Sequence, residues 1–293
     1  MLNTKAPYRR ISTCRGEIRL DQGLQVVGIL NVTPDSFSDG GRFVDLDAIA
    51  AHAAQMEADG AVMIDIGGVS TRPGATDVDE STELARVIPA VRAAAEAATI
   101  PLSVDTFRAS VMAQAMEAGA SMLNDVTALR GDPEMASFLA DSELPFILMH
   151  MKGTPTARAA DADYDDVVSE VMAFFTETLQ RIDTVGLDRS RCILDPGLGF
   201  DKDTARNLQL LQGIKELRNC DQPLLIGASR KRFIGEVLAQ ADPCARDWGT
   251  AAVTAHLHRH GVELVRVHNV RASVDTIRVL DAIAQEPGSE VIH

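Results

Sequence analysis

In ELVRVH (263–268), Arg266 and His268 stand two residues apart, a spacing that puts both side chains on one face of a strand. Upstream, PLLIGA (223–228) runs into Ser229, Arg230, Lys231 and Arg232, a hydroxyl and three cations where the helical stretch KRFIGEVL opens. A helix N-terminus already attracts anions through its unsatisfied N–H groups and its dipole. The chain carries 28 basic against 42 acidic residues, a net charge of −14. Cations gathered at adjacent strand ends of such a chain favour a phosphate or diphosphate ligand, because Arg binds such oxygens bidentately and His can take up a proton. The plain alternative is a solvated basic turn plus a barrel-interior pair.

Acceptors form a second group. Asp105, Asn124 and Asp195 stand at or next to the ends of the runs PLSVD (101–105), SMLND (121–125) and RCILD (191–195). A carboxylate accepts two parallel N–H bonds from a 2-amino-pyrimidinone edge, and an amide reads the neighbouring ring atoms. Met149 and Phe200 supply apolar faces for a flat ring, although each taken singly also suits a core. DPGLGF (195–200) lets backbone approach a ligand closely but is not a phosphate loop of the GxxxxGK[ST] type. A third feature is GILNVTPDSFSDGG (28–41), where a buried strand opens at Asn31 into a long polar stretch around Phe37 before helical periodicity starts near Asp45. Strand-to-helix connections commonly need only ~2–6 residues, and long ordered loops are more often functional than idle.

These groups need a scaffold that brings strand ends together. Apolar runs recur at VVGIL (26–30), AVMIDI (61–66), PLSVD, SMLND, PFILMH (145–150), RCILD, PLLIGA and ELVRVH. Helical patterns lie between them: Val167, Val168, Val171, Phe174, Phe175, Leu179 and Ile182 trace one apolar face, as do Leu84, Val87, Ile88 and Val91. Apolar strands alternating with helices mean a parallel sheet covered on both sides. Eight units without a linker predict an α/β fold, a single (β/α)8 TIM-type barrel domain over residues 1–293, with a short hairpin in residues 10–25 across its bottom. A doubly wound open sheet is the alternative, but no GxGxxG follows the first strand. The strand ends then read Asn31, Asp65, Asp105, Asn124, His150, Asp195, Ser229 with Arg230 and Lys231, and Arg266 with His268. Barrel active sites sit on that face. Helix capping explains one such Asp, not eight polar endings together.

Apolar residues make up 46% and charged residues 24% of the 293, ordinary for a globular enzyme. The charge speaks against nucleic acid or an acidic membrane surface as partner. No run reaches the ~18–20 apolar residues of a membrane span, and Met1 to Arg10 lack a signal-peptide core. Cys14, Cys192, Cys220 and Cys244 form no CxxC, which fits a reducing cytoplasm.

GILNVTPDSFSDGG, DIGGVSTRPGA (65–75), SVDTFR (103–108), LNDV (123–126), ILMHMKGTP (147–155), ILDPGLGF (193–200), GASRKRFIGE (227–236) and RVH (266–268) resemble, in order, the successive signatures of the dihydropteroate synthases. The resemblance spans residues 26 to 268. It implies a (β/α)8 barrel that joins 6-hydroxymethyl-7,8-dihydropterin diphosphate to 4-aminobenzoate, with Mg2+, releasing diphosphate in folate synthesis. It further implies that Asp105, Asn124, Asp195 and Lys231 bind the pterin, and that Asn31, Arg266 and His268 hold diphosphate, Asn31 also touching Mg2+. Asp35 then steadies the developing methylene cation, Thr71 and Arg72 come from a second loop, and Phe37, Pro73 and Phe200 flank the aminobenzoate ring. A homodimer through the late barrel helices is implied as well. Three positions depart from the family pattern: Val69 where Glu is frequent, Arg232 where a Ser serves the aminobenzoate carboxylate, and Asn269 where Asp is frequent. Arg232 or the helix N-terminus takes over that carboxylate in this reading. Two rivals share the pterin-binding barrel. Methyltransferases acting on methyltetrahydrofolate have no diphosphate to hold, and a non-catalytic pterin-binding paralogue is expected to have damaged STRP or SRK stretches, which are intact here.

Overall fold

Eight parallel strands follow one another around a ring, as the eight apolar runs predict. They are β3 (Gln25–Asn31), β4 (Met63–Gly67), β5 (Leu102–Asp105), β6 (Met122–Asp125), β7 (Phe146–Met149), β8 (Cys192–Asp195), β9 (Leu225–Ile226) and β10 (Leu264–Val267). The sheet order is β8-β7-β6-β5-β4-β3-β10-β9, and a parallel bridge between Leu194 and Leu224 joins the two ends. Before the ring, β1 (Arg10–Thr13) and β2 (Gly16–Arg19) form an antiparallel hairpin. The coordinates are a computed structural model that describes residues 9–32, 45–69, 78–153 and 163–284.

The helices are α1 (Leu46–Ala58), α2 (Glu80–Ala97), α3 (Ala109–Glu117), α4 (Met135–Asp141), α5 (Val167–Thr184), α6 (Thr204–Gln212), α7 (Ile214–Leu217), α8 (Arg232–Val237), α9 (Asp247–Arg259) and α10 (Val270–Ala284). Four of them begin on an Asp cap: Asp45, Asp79, Asp166 and Asp203 each accept from a backbone N–H of the first turn. The caps therefore stand at the helix starts, not at the strand ends, so Asp65, Asp105 and Asp195 are left for other work.

Alternation along the strands sorts side chains into two cores. Outward residues such as Val26, Leu30, Ile64, Ile66, Val104 and Leu148 pack against helix faces that include Val87, Val91, Val171, Phe175 and Ile182. Inward residues at the strand starts, Val27, Met63, Met122, Ile147, Ile193, Leu225 and Leu264, fill the barrel's N-terminal end together with Ile11, Ile18 and Leu20 of the hairpin segment. The hairpin is thus the bottom plug that the sequence led us to expect. Above that apolar layer the inward positions turn polar. Among the described residues, no helix is long and apolar enough to cross a membrane.

Candidate active site

Register places the polar inward residues in rows. Asn31 pairs with Gly67, Gly67 with Asp105 and Asp105 with Asn124, one row across four strands. Asp65 and Ser103 are partners in the row below. Asp65, 2% exposed, is the hub. Its Oδ1 accepts from Ser103 Oγ at 2.6 Å, and its Oδ2 accepts from Asn124 Nδ2 at 3.0 Å and from Arg266 Nη1 at 2.5 Å. The same Nη1 lies 3.7 Å from Asp105 Oδ2. Burial works against the Arg266 charge, but Asp65, Asp105 and Asp195 outweigh it and hold its pKa above the usual value. Asp105 answers in the other direction: burial first, then the Asp65 charge, push it up to about 7, with Arg266 pulling back. Arg266 Nε is buried and has no hydrogen-bond partner among the described residues. That N–H is an open donor at the barrel axis, where an acceptor on a ligand, or a water, completes it.

On the opposite wall, Asp195 Oδ1 accepts from Gly197 N at 2.7 Å, while Oδ2 faces Gly227, just past β9. Burial raises the Asp195 pKa, and Lys231 and Arg266 oppose that. Lys231 donates from Nζ to the Leu198 carbonyl, and that Nζ stands 4.6 Å from the centre of the Phe200 ring. Phe200 packs with Val126, Met149 and Met151 into a small apolar wall. Cation, carboxylate and apolar wall therefore share one side of the mouth. At its rim, Asn31 Nδ2 lies 3.4 Å from His268 Nε2, and His268 Nδ1 lies 2.9 Å from Ser229 Oγ. With Asn31 donating, the ring proton sits on Nδ1 and goes to Ser229, and the Asn31 amide oxygen is turned away from the imidazole.

The structure thus brings together Asn31, Asp105, Asn124, Met149, Asp195, Phe200, Lys231, Arg266 and His268. It does not bring in three residues that the sequence placed beside them, His150 and Arg230 at strand ends and Arg232 at a helix start. His150 follows the inward Met149 and so points outward, 3% exposed, with Nδ1 3.0 Å from Lys202 Nζ and its ring edge-on to Phe174. Arg230 leaves the mouth in a two-pronged pair with Asp247, at 2.7 and 2.9 Å. Arg232, proposed for the aminobenzoate carboxylate, has a side chain 62% exposed with Nε 3.4 Å from Glu236, outside the buried network. Asp35, Phe37, Thr71, Arg72 and Pro73 lie outside the described residues. Asn269 donates to Asp247 at 2.9 Å. An Asp at 269 would set a second carboxylate against Asp247, so the departure from the family pattern matches its surroundings.

Two residues escaped the sequence reading. Ser103 stands two before Asp105 on the same strand, and that same-face spacing was the available signal. Lys202, just past DPGLGF, gave no signal, because its burial is a tertiary fact. Among the described residues no cluster of His, Cys, Asp and Glu could hold a metal ion.

A family model described as pterin binding enzyme matches residues 27–268. The dihydropteroate synthase of Synechocystis sp. is 43% identical over 270 residues, which cover 92% of this chain and 93% of that one. The dihydropteroate synthase of Mycobacterium leprae is 44% identical, over 88% and 93%. The chain belongs to the dihydropteroate synthases. It is accordingly a transferase of folate synthesis. A dihydropteroate synthase from Xanthomonas albilineans, solved with 4-aminobenzoic acid, superposes with a TM-score of 0.88 at 43% identity, over 96% of this chain and 100% of that one. The same enzyme solved with 7,8-dihydropteroate gives 0.84 at 41%. Membership accounts for a barrel whose lower half is greasy and whose upper half is a charged, hydrogen-bonded cup.

Proposed function

We propose that the cup binds 6-hydroxymethyl-7,8-dihydropterin diphosphate and transfers its methylene carbon to the amine of 4-aminobenzoate, in a Mg2+-dependent reaction that releases diphosphate. The observation that carries this reading is the division of the cup. Asp105, Asn124 and Asp195 supply carboxylate and amide acceptors, and Lys231, Arg266 and His268 supply donors beside them. A ligand with N–H donors at one end and anionic oxygens at the other fits such a site.

Asp195 and Asp105 accept from the 2-amino-pyrimidinone edge, Asn124 reads the neighbouring ring atoms, and the Met149 and Phe200 wall packs on a ring face. Lys231 takes the side of the pterin near Phe200. The Arg266 Nε donor and His268 hold diphosphate oxygens. The C–O bond to diphosphate breaks, the arylamine lone pair forms the C–N bond, and the nitrogen's proton passes to diphosphate or solvent. The arylamine is already neutral at pH 7, so no general base is required. Asp35 steadies the positive methylene carbon, Thr71 and Arg72 contribute from the second loop, Phe37, Pro73 and Phe200 flank the aminobenzoate ring, and Arg232, exposed at the start of α8, meets the carboxylate at the solvent end of the site. An interaction made only as charge develops lowers the barrier without tightening ground-state binding.

The Asn31 amide oxygen, on the side toward Gly67, is a hard neutral donor of the kind Mg2+ accepts, and Mg2+ is commonly held by few protein oxygens plus substrate phosphates. Bound there, the metal would neutralise charge on the departing diphosphate. We also place the enzyme in the cytoplasm and infer a homodimer through the late helices. Exposed Trp248 on α9 and Val279 and Ile283 on α10 support the pairing, which sedimentation tests. The deciding experiment mixes purified protein with the pterin diphosphate, 4-aminobenzoate and Mg2+ and assays for 7,8-dihydropteroate. Product that fails to form, or that forms equally in excess EDTA, refutes the reaction or its metal requirement respectively.

A further inference from the structure

Lys202 is 4% exposed and lies behind the cup, outside the set of groups that reach a substrate. Its Nζ is 3.0 Å from the Gly197 carbonyl, 3.0 Å from the Phe200 carbonyl and 3.0 Å from His150 Nδ1. Burial pulls the Lys202 pKa down to about 7, with Asp201 and Asp195 opposing; in the ammonium form all three hydrogens are used, and His150 then presents a lone pair at Nδ1. His150 is suited to that. Burial, then the charges of Lys202, Arg130 and Lys152, push its pKa down to about 2, so the ring is neutral.

The two carbonyls are the ends of one turn. Phe200 N donates to Gly197 O at 3.1 Å, Asn207 Oδ1 accepts from Gly199 N at 2.6 Å, and Asp195 accepts from Gly197 N. Gly197 has φ +68° and Gly199 φ +75°, the left-handed region that favours glycine. A Cβ on Gly197 would lie 2.0 Å from the His150 carbonyl oxygen, and one on Gly199 would lie 2.8 Å from Lys231 Cδ. The turn is therefore wedged between the end of β7 and the Lys231 side chain. Its front supplies two Lys231 contacts: the Leu198 carbonyl that accepts from Nζ, and the Phe200 ring beside it.

We propose that Lys202 is a positioning residue for the transfer reaction, fixing the Gly197–Phe200 turn from behind so that Leu198 and Phe200 hold Lys231 against the pterin. The inference rests on the proposed pterin site. Groups that orient a binding residue from behind commonly matter almost as much as the residue itself. Local sequence hints at none of this, since Lys202 touches no substrate and its three acceptors come from two different βα loops.

The test is a double-mutant cycle read by calorimetry with 6-hydroxymethylpterin as the probe. Lys202→Met keeps the length of the stem and removes every donor. It is expected to weaken the pterin by roughly tenfold to a hundredfold, the scale of a charge-assisted hydrogen bond. Lys231→Met weakens it too. Because Lys202 acts through Lys231, the double variant is expected to bind within about threefold of Lys231→Met alone. A general loss of stability would instead multiply the two effects, and that result overturns the inference. So does a folded Lys202→Met that binds as the parent does. If Lys202→Met does not fold, Lys202→Leu, which likewise removes every donor, takes its place in the cycle with the same criteria. A parent protein that binds no pterin refutes the site itself. A parent that binds, with Lys202 variants that do not differ, refutes the positioning role alone.

Discussion

Replacing Asp65 by Asn tests whether the cup is held by one buried charge network. Asp65 is 2% exposed and takes three hydrogen bonds, from Ser103, Asn124 and Arg266. Breaking a buried ion pair from one side typically costs ~3–5 kcal/mol, because the remaining charge is left uncompensated. Here Asp105 Oδ2 stands 3.7 Å from the same Arg266 Nη1 and can take over part of the role. The expected loss is therefore near the lower end, about 3 kcal/mol. The substitution also carries a pH signature. In the parent, Asp105 titrates at about 7 in the fold against an ordinary value of 3.8. Between those values the folded state binds more protons than the unfolded state. Stability then falls as pH rises through that window, by up to about 1.4 kcal/mol per pH unit. His150 contributes the opposite slope. Its pKa is lowered from 6.5 to about 2, so stability rises with pH up to about 6.5. Comparing parent with variant cancels His150, whose charge answers to burial, Lys202, Arg130 and Lys152 and not to Asp65. Without the Asp65 charge beside it and with Arg266 to itself, Asp105 is pushed up less, chiefly by the burial that remains. The cost of Asp65→Asn should therefore be larger at pH 5 than at pH 7. Urea denaturation of both proteins at pH 5, 6 and 7 measures this. A loss under about 1 kcal/mol, or a cost that does not change with pH, refutes the network.

Asp195→Ala should weaken 6-hydroxymethylpterin by roughly tenfold to a hundredfold in calorimetry, the scale of a charge-assisted pair. Unchanged affinity would remove Asp195 from the pterin edge. Asp35→Asn should leave pterin affinity near the parent's but lower kcat by about 10²–10³-fold, as expected of a group that acts as charge develops. Near-parental kcat would reduce Asp35 to a turn former after Pro34. Gly197→Ala should cost more stability than the ~1 kcal/mol commonly seen for a mild change, since φ is +68° and the new Cβ meets a backbone oxygen at 2.0 Å. A thermal melt matching the parent's would show that the turn is not wedged as described.

The alternation of eight apolar runs with helical patterns determined the barrel, because a fully buried parallel strand and an amphipathic helix each leave their period in the chain. The polar strand ends determined where the site lies, because a parallel barrel puts every such end on one face. The resemblance of the motifs determined which ligands to expect there. What the sequence did not determine was the direction and company of single side chains. His150, Arg230 and Asp195 all read alike as polar groups at strand ends. In the structure Asp195 alone faces the cup: His150 falls on the odd side of the pleat after Met149, and Arg230 is drawn off by Asp247, seventeen residues away. Asp65 became the hub only because β10 lies beside β3, which brings Arg266 to it across 201 residues of sequence. Lys202 reads as a surface lysine until its three acceptors converge. Periodicity is a local property and survives in one dimension. Pairing of charges and burial of a lysine depend on which distant segments the closed barrel sets side by side, and only the tertiary structure decides that.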